Sequence, residues 1–201
     1  MELAIWQGIL TGLVLATFIG PIFFAVVDLG FKGNIRGAAY LAFGTFVSDA
    51  LTVLFIYSVA KKVDPDSMLL QAMYIAGGGI LILLGLKSLI RGRELEASIE
   101  VDQKSLNKLF AKGFLINSTN PNVFFFWFGA VMGAIHSYQN KAHLVLIHFL
   151  MALLVVFSTD FLKGYSASLL RSYVRDHTLT HLSRLSGVIL IYFGVRLMIF
   201  H

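Results

Sequence analysis

The sequence predicts an all-α membrane protein whose six transmembrane helices form two inverted three-helix repeats, with helices 1 and 4 broken at Gly-Pro and Asn-Pro. Three observations carry this prediction: apolar stretches long enough to cross a bilayer, basic residues gathered on alternate connections, and motifs that recur in the second half of the chain. Hydrophobic residues make up 57% of the 201 and charged residues 13%; soluble domains carry about 45–50% and about 25%. Mean hydropathy is +0.79. The chain has no cysteine, which excludes disulfides, thiolate metal sites and thiol-relay chemistry. A net charge of +5 could suggest nucleic acid, but the basic residues cluster between apolar stretches. That is a membrane topology signal, so a lipid bilayer and no nucleic acid is the expected partner. Glu2 is the only charge before Asp28, and with no basic n-region and an over-long apolar stretch, no cleavable signal peptide is predicted.

Each span follows from the roughly 20 apolar residues needed to cross about 30 Å of hydrocarbon. Leu3 to Val27 is uncharged and forms the first. Gly37 to Ala60 is the second, interrupted by Asp49. Ser67 to Leu86 is the third and Gly113 to Ile135 the fourth. His143 to Leu169 is the fifth, with Asp160 inside it. Leu185 to Phe200 is the sixth, containing Arg196; it is short and is expected to begin a turn earlier or to sit beside thinned lipid. These runs lack a period of two and exceed the length of a membrane β-strand.

Orientation comes from Lys and Arg. Lys32, Arg36, Lys87, Arg91, Arg93, Lys104, Lys108, Lys112, Lys163, Arg171, Arg175 and Arg184 are assigned to the connections after spans one, three and five. Only Lys61, Lys62, Lys141 and Arg196 fall on the other side. The positive side stays cytoplasmic, which puts both termini outside. The chain is therefore read as one polytopic domain: residues 1–90 form the first repeat, 91–112 a cytoplasmic connector of mixed charge, and 113–201 the second repeat.

The repeat rests on three ordered matches. Two of the three prolines interrupt apolar spans, at Gly20-Pro21 and Asn120-Pro121. The acids lie in Val47-Ser48-Asp49 and Ser158-Thr159-Asp160. Span three carries Gly78, Gly85 and Lys87, and span six Gly187, Gly194 and Arg196, both as Gly-x6-Gly-x-basic. The offsets are 100 at the prolines, 111 at the acids and 109 at the glycines. An insertion between spans four and five is expected to account for the difference. Because each half holds three spans, the second half must enter the membrane upside down, as in many secondary transporters.

A proline strips a helix of a donor and leaves carbonyls without partners, which hydrocarbon tolerates only in protein or beside a watery cavity. Two equivalent breaks therefore point to one shared cavity, with Gly20, Pro21, Asn117, Asn120 and Pro121 as candidate substrate-binding residues. Ser118 and Thr119 add further polar groups beside the second break. A half-helix N-terminus suits a carboxylate and loose carbonyls suit an ammonium; an amino acid carries both. Simple kinks are the alternative. Asp49 and Asp160 are candidate proton- or ion-coupling groups, because an intramembrane carboxylate costs about 2.5–3.5 kcal/mol on insertion scales. Asp160 is close enough in sequence to Lys163 to pair with it instead. Asp28, near the cytoplasmic end of span one, is either an interfacial charge or a gate. His148 is read as a hydrogen-bonded structural residue rather than a proton carrier. His177 and His181 lack companion ligands, so no metal site is expected. The run Phe124 to Phe128, with Trp127 in it, covers all sides of its helix, and the sequence does not choose which face lines a cavity.

Gly20-Pro21 followed by Gly33, Gly37, Gly44 and Asp49, with Lys112-Gly113-Phe114, Asn117 and Asn120-Pro121 in the second half, resembles the LysE/RhtB family. The resemblance spans essentially the whole chain. It implies a bacterial inner-membrane exporter of amino acids or their derivatives, driven by proton exchange and needing no cofactor, with homo-oligomers compatible. Ile22 and Phe23 depart from the Asn or Gln common in that family after the first Gly-Pro, which favours a less polar solute. An exporter of metal or other small ions is the alternative, although hard cations want more oxygen ligands than the spans supply. No Ser/His pair, HExxH motif or cysteine nucleophile supports an enzyme.

Overall fold

The computed structural model describes residues 1–60, 68–91, 105–139, 141–169 and 176–199. These fold into helices α1 (Glu2–Ala16), α2 (Pro21–Phe31), α3 (Ile35–Ala60), α4 (Met68–Arg91), α5 (Leu106–Ser118), α6 (Pro121–Ser137), α7 (Ala142–Leu169) and α8 (Asp176–Ile199), with no strand among the described residues. By length and composition α3 and α7 can each cross a bilayer. The pair α1 and α2 can do so together, although the two helices meet at 76°.

Local chemistry explains where helices stop. At the end of α1, Thr17 Oγ1 donates back to the Val14 carbonyl at 2.6 Å. Pro21 disfavours helical geometry in the residue before it, and Gly20 is extended at φ −140° and ψ −173°. Between α2 and α3 the chain turns tightly. Gly33 adopts φ +74°, the Gly33 N–H bonds the Gly30 carbonyl and the Asn34 N–H the Leu29 carbonyl, the pattern of a Schellman cap. Asn34 then caps α3 by accepting from the Gly37 N–H at 2.8 Å.

Close helix pairs dominate the packing. A Cβ on Gly12 would lie 2.6 Å from the Ala152 carbonyl, and one on Gly8 would overlap the His148 carbonyl, so α1 lies directly on the α7 backbone. Likewise α5 lies on α3, where Gly44 faces the Phe110 carbonyl and Gly113 the Leu41 carbonyl. In the third pair the contacts are reciprocal: Gly78 faces Gly194 and Gly85 faces Gly187 across α4 and α8, at 2.5 to 2.6 Å in each direction. Between helices in lipid, where apolar burial supplies little drive, small residues allow this backbone approach. The central helices α3 and α7 also pack against each other.

Several boundaries differ from expectation. The α5 helix begins at Leu106 rather than Gly113, because Leu106, Leu109 and Phe110 meet α2 and α3 while the lysines between them need not be buried. The connector 91–112 is thus partly helical at both ends, and its residues 92–104 lie outside the described residues. The α8 helix starts at Asp176, well before Leu185. The extra residues of the second half are spread rather than held in one loop. The α6 helix has 17 residues against 11 in α2, the α6–α7 turn is barely longer than the α2–α3 turn, and Asp160 lies deeper into α7 than Asp49 does into α3. Lys163, assigned above to a connection, lies inside α7.

Candidate solute-binding cavity

Asp49, midway along α3, is 1% exposed. Its Oδ1 accepts from Asn117 Nδ2 and from Trp127 Nε1, both at 2.7 Å. The two donors come from either side of the second break, Asn117 on the last turn of α5 and Trp127 on α6, so the break itself aims them at one oxygen. Asn117 Nδ2 also reaches the Thr45 carbonyl at 3.4 Å, one turn earlier on α3. A buried carboxylate needs such partners, because leaving it unpaired costs several kcal/mol.

Asp160, 6% exposed on α7, takes a different partner. Lys163 Nζ donates to its Oδ1 at 2.7 Å. The same ammonium lies 5.8 Å from the centroid of the Phe23 ring, within the range of a cation–π contact.

These groups converge. A cavity of about 60 Å³, room for a handful of water molecules, is walled by Gly20, Asn117, Asn120, Asn122, Asp49 and Asp160, with Lys163 and Thr45 beside them. Phe18, Ile19, Ile22, Phe23, Val123 and Val156 supply its apolar wall. The breaks abut: a Cβ built on Gly20 would sit 3.8 Å from Asn120 Nδ2. At the second break Asn120 Oδ1 accepts from the Asn122 N–H at 3.0 Å, capping α6. At the first, Gly20 offers α2 no side-chain cap. The Asn122 Oδ1 atom is buried with no hydrogen-bond partner among the described residues.

Of the residues singled out in the sequence, Gly20, Asn117, Asn120, Asp49 and Asp160 share this cavity. Pro21 and Pro121 open α2 and α6 behind its wall. Asp28 is elsewhere, paired with Lys32 at 2.7 Å and half exposed near the end of α2. The pairing of Asp160 with Lys163 left open in the sequence is present, but the sequence counted Lys163 with the cytoplasmic bases rather than on the cavity wall, and it did not choose Trp127 from its aromatic run, where Phe126, Trp127 and Phe128 are all buried.

His148 belongs to a separate buried network between α1 and α7. Tyr138 OH donates to Gln7 Oε1 at 2.5 Å and lies 3.0 Å from His148 Nδ1, while Thr11 Oγ1 lies 3.1 Å from Nε2. Having spent its proton on Gln7, the tyrosine oxygen must accept from Nδ1–H, which leaves Nε2 to accept from Thr11. The arrangement ties α1 to α7 and to the end of α6. His177 and His181 lie among side chains outside the described residues.

An apolar, all-helical chain that gathers two carboxylates, an ammonium and two helix breaks around a small cavity has the make-up of a membrane transport protein. The comparison with known families agrees: the LysE type translocator family matches residues 13–200, and the chain belongs to it. A Bacillus subtilis (strain 168) protein named "Putative amino acid efflux protein YcgF" is 28% identical over 190 residues, covering 92% of this chain and 90% of that protein. No solved structure matches. The family's members are transporters, which makes this chain a membrane translocator.

Proposed function

We propose that the protein exports amino acids or amino-acid derivatives across the bacterial inner membrane as a secondary transporter, in exchange for protons. The observation that carries this reading is the convergence of both helix breaks and both buried acids on one cavity. The name of the Bacillus subtilis relative supports the solute class.

In this reading α1 with α2, and α5 with α6, are two broken spans, and the chain crosses the membrane six times in two inverted repeats with both termini outside. The reciprocal glycines support it. If residues 78 and 85 correspond to 187 and 194, a two-fold axis converts the Gly78–Gly194 contact into the Gly187–Gly85 contact, and both are present. The exchange of partners between halves follows the same rule, α1 lying on α7 as α5 lies on α3.

Asp49 is the coupling group. Asn117 and Trp127 hold its Oδ1, which leaves Oδ2 to bind a proton in one half-cycle and release it in the other. Asn120, Gly20 and the first turns of α2 and α6 provide backbone and amide groups for the solute. Solutes larger than the present cavity require its walls to part, and the two breaks, where intrahelical bonds are already missing, are the places for that hinge. Transport out of proteoliposomes under a pH gradient tests the scheme, with amino acids compared against divalent cations as cargo. Asp49→Asn keeps the donors' partner oxygen but cannot cycle a proton; it is expected to insert normally and to lose at least about nine-tenths of export. Full-rate export by this variant would remove Asp49 from the coupling role.

A further inference from the structure

Lys163 and Asp160 form a charged pair on the cavity wall that proton exchange at Asp49 does not use. From their placement we infer that the pair is the receptor for the head group of a zwitterion, and that the cavity selects neutral amino acids with apolar side chains. The inference rests on the exporter reading above and adds its substrate class.

Three features place the head group. Lys163 Nζ stands over Phe23, in the first turn of α2, so an ammonium and an uncapped helix N-terminus, with its partial positive charge, occupy the same corner. That corner takes a carboxylate. Asp160, held to Lys163 on Oδ1, and the unpartnered Oδ1 of Asn122 are acceptors on the same cavity wall, and together they take an ammonium. A zwitterion adds no net charge to a pair that is already neutral, whereas a glutamate side chain would meet the Asp49 carboxylate in the same cavity and a lysine side chain could be paired only by taking Asp49, the coupling group. The remaining wall, Phe18, Ile19, Ile22, Val123 and Val156, offers a side chain no polar group.

The test uses the full chain in proteoliposomes and follows counterflow of radiolabelled leucine. Wild type is expected to show counterflow that neutral apolar amino acids inhibit, and that lysine, glutamate, isoamylamine and isocaproate inhibit weakly. Lys163→Gln is expected to raise the half-saturation concentration for leucine by about tenfold or more, the loss of one charged hydrogen bond, and to narrow the preference for leucine over isoamylamine. Lys163→Arg should stay within about threefold of wild type. If Lys163→Gln does not reach the membrane, the double variant Asp160→Asn with Lys163→Gln removes both charges and carries the same expectation. Unchanged half-saturation in whichever of these variants inserts, or stronger inhibition by lysine or glutamate than by neutral amino acids, overturns the inference while leaving an amino-acid exporter. Absence of amino-acid counterflow in the wild type overturns the exporter reading itself.

Discussion

Asp49 and Asp160 both face the cavity, yet their surroundings differ. Asp49 is held by an amide and an indole, both neutral donors; Asp160 is held by an ammonium. Neutral donors hold the carboxyl without bringing a second ion into the site. A lysine partner brings a second charge into the site, so removing either member leaves the other buried and unpaired. The helix breaks differ in the same sense. The first is bare backbone flanked by Ile22 and Phe23, and the second carries Asn117, Asn120 and Asn122. Two carboxylates with unequal partners therefore make the sides of the cavity chemically different.

This contrast can be broken at either carboxylate, and the largest effect is the loss of export expected of Asp49→Asn. Next comes Lys163→Gln. Removing one partner of a buried pair costs about 3–5 kcal/mol, so membrane abundance and thermal stability should fall, and Asp160→Asn added to it should restore much of both; thermal unfolding in detergent measures this. Asn117→Ala or Trp127→Phe, each deleting one donor to Asp49, should cost about 1.5–3 kcal/mol of carboxylate stabilisation. Export by either variant should slow with little change in half-saturation for leucine, in contrast to Lys163→Gln. A common phenotype for all three would erase the division of labour. Smaller still, Gly85→Leu and Gly187→Leu should each destabilise by about 1–3 kcal/mol through overpacking. Their effects should match, because each glycine faces the other's carbonyl. Least affected should be Asp28→Asn. Its pair with Lys32 is half exposed, and such pairs contribute about 0–1 kcal/mol.

Much of this was legible in the chain. Prolines inside apolar runs marked the starts of α2 and α6, because proline removes a donor from the helix it enters. The acids stood out because they are costly in hydrocarbon, whereas the spacing of Gly78 and Gly85 against Gly187 and Gly194 suggested a repeat and said nothing of the contact between them. Helix ends at amphipathic segments were less legible. Lys108 and Lys112 made the start of α5 look like a connector, although its apolar residues face α2 and α3.

What the amino-acid order determined alone was local or periodic: apolar length, basic asymmetry, and the places where prolines open helices. Tertiary structure decided which donors meet which acids. Trp127 was one of five consecutive aromatics until folding turned its N–H toward Asp49 across 78 positions, and Lys163 was one base among the cytoplasmic set until α7 carried it to the cavity wall. Hydrogen bonds act over about 3 Å, so their partners depend on how helices cross, and helix crossings follow from packing of the whole chain rather than from any short stretch of it.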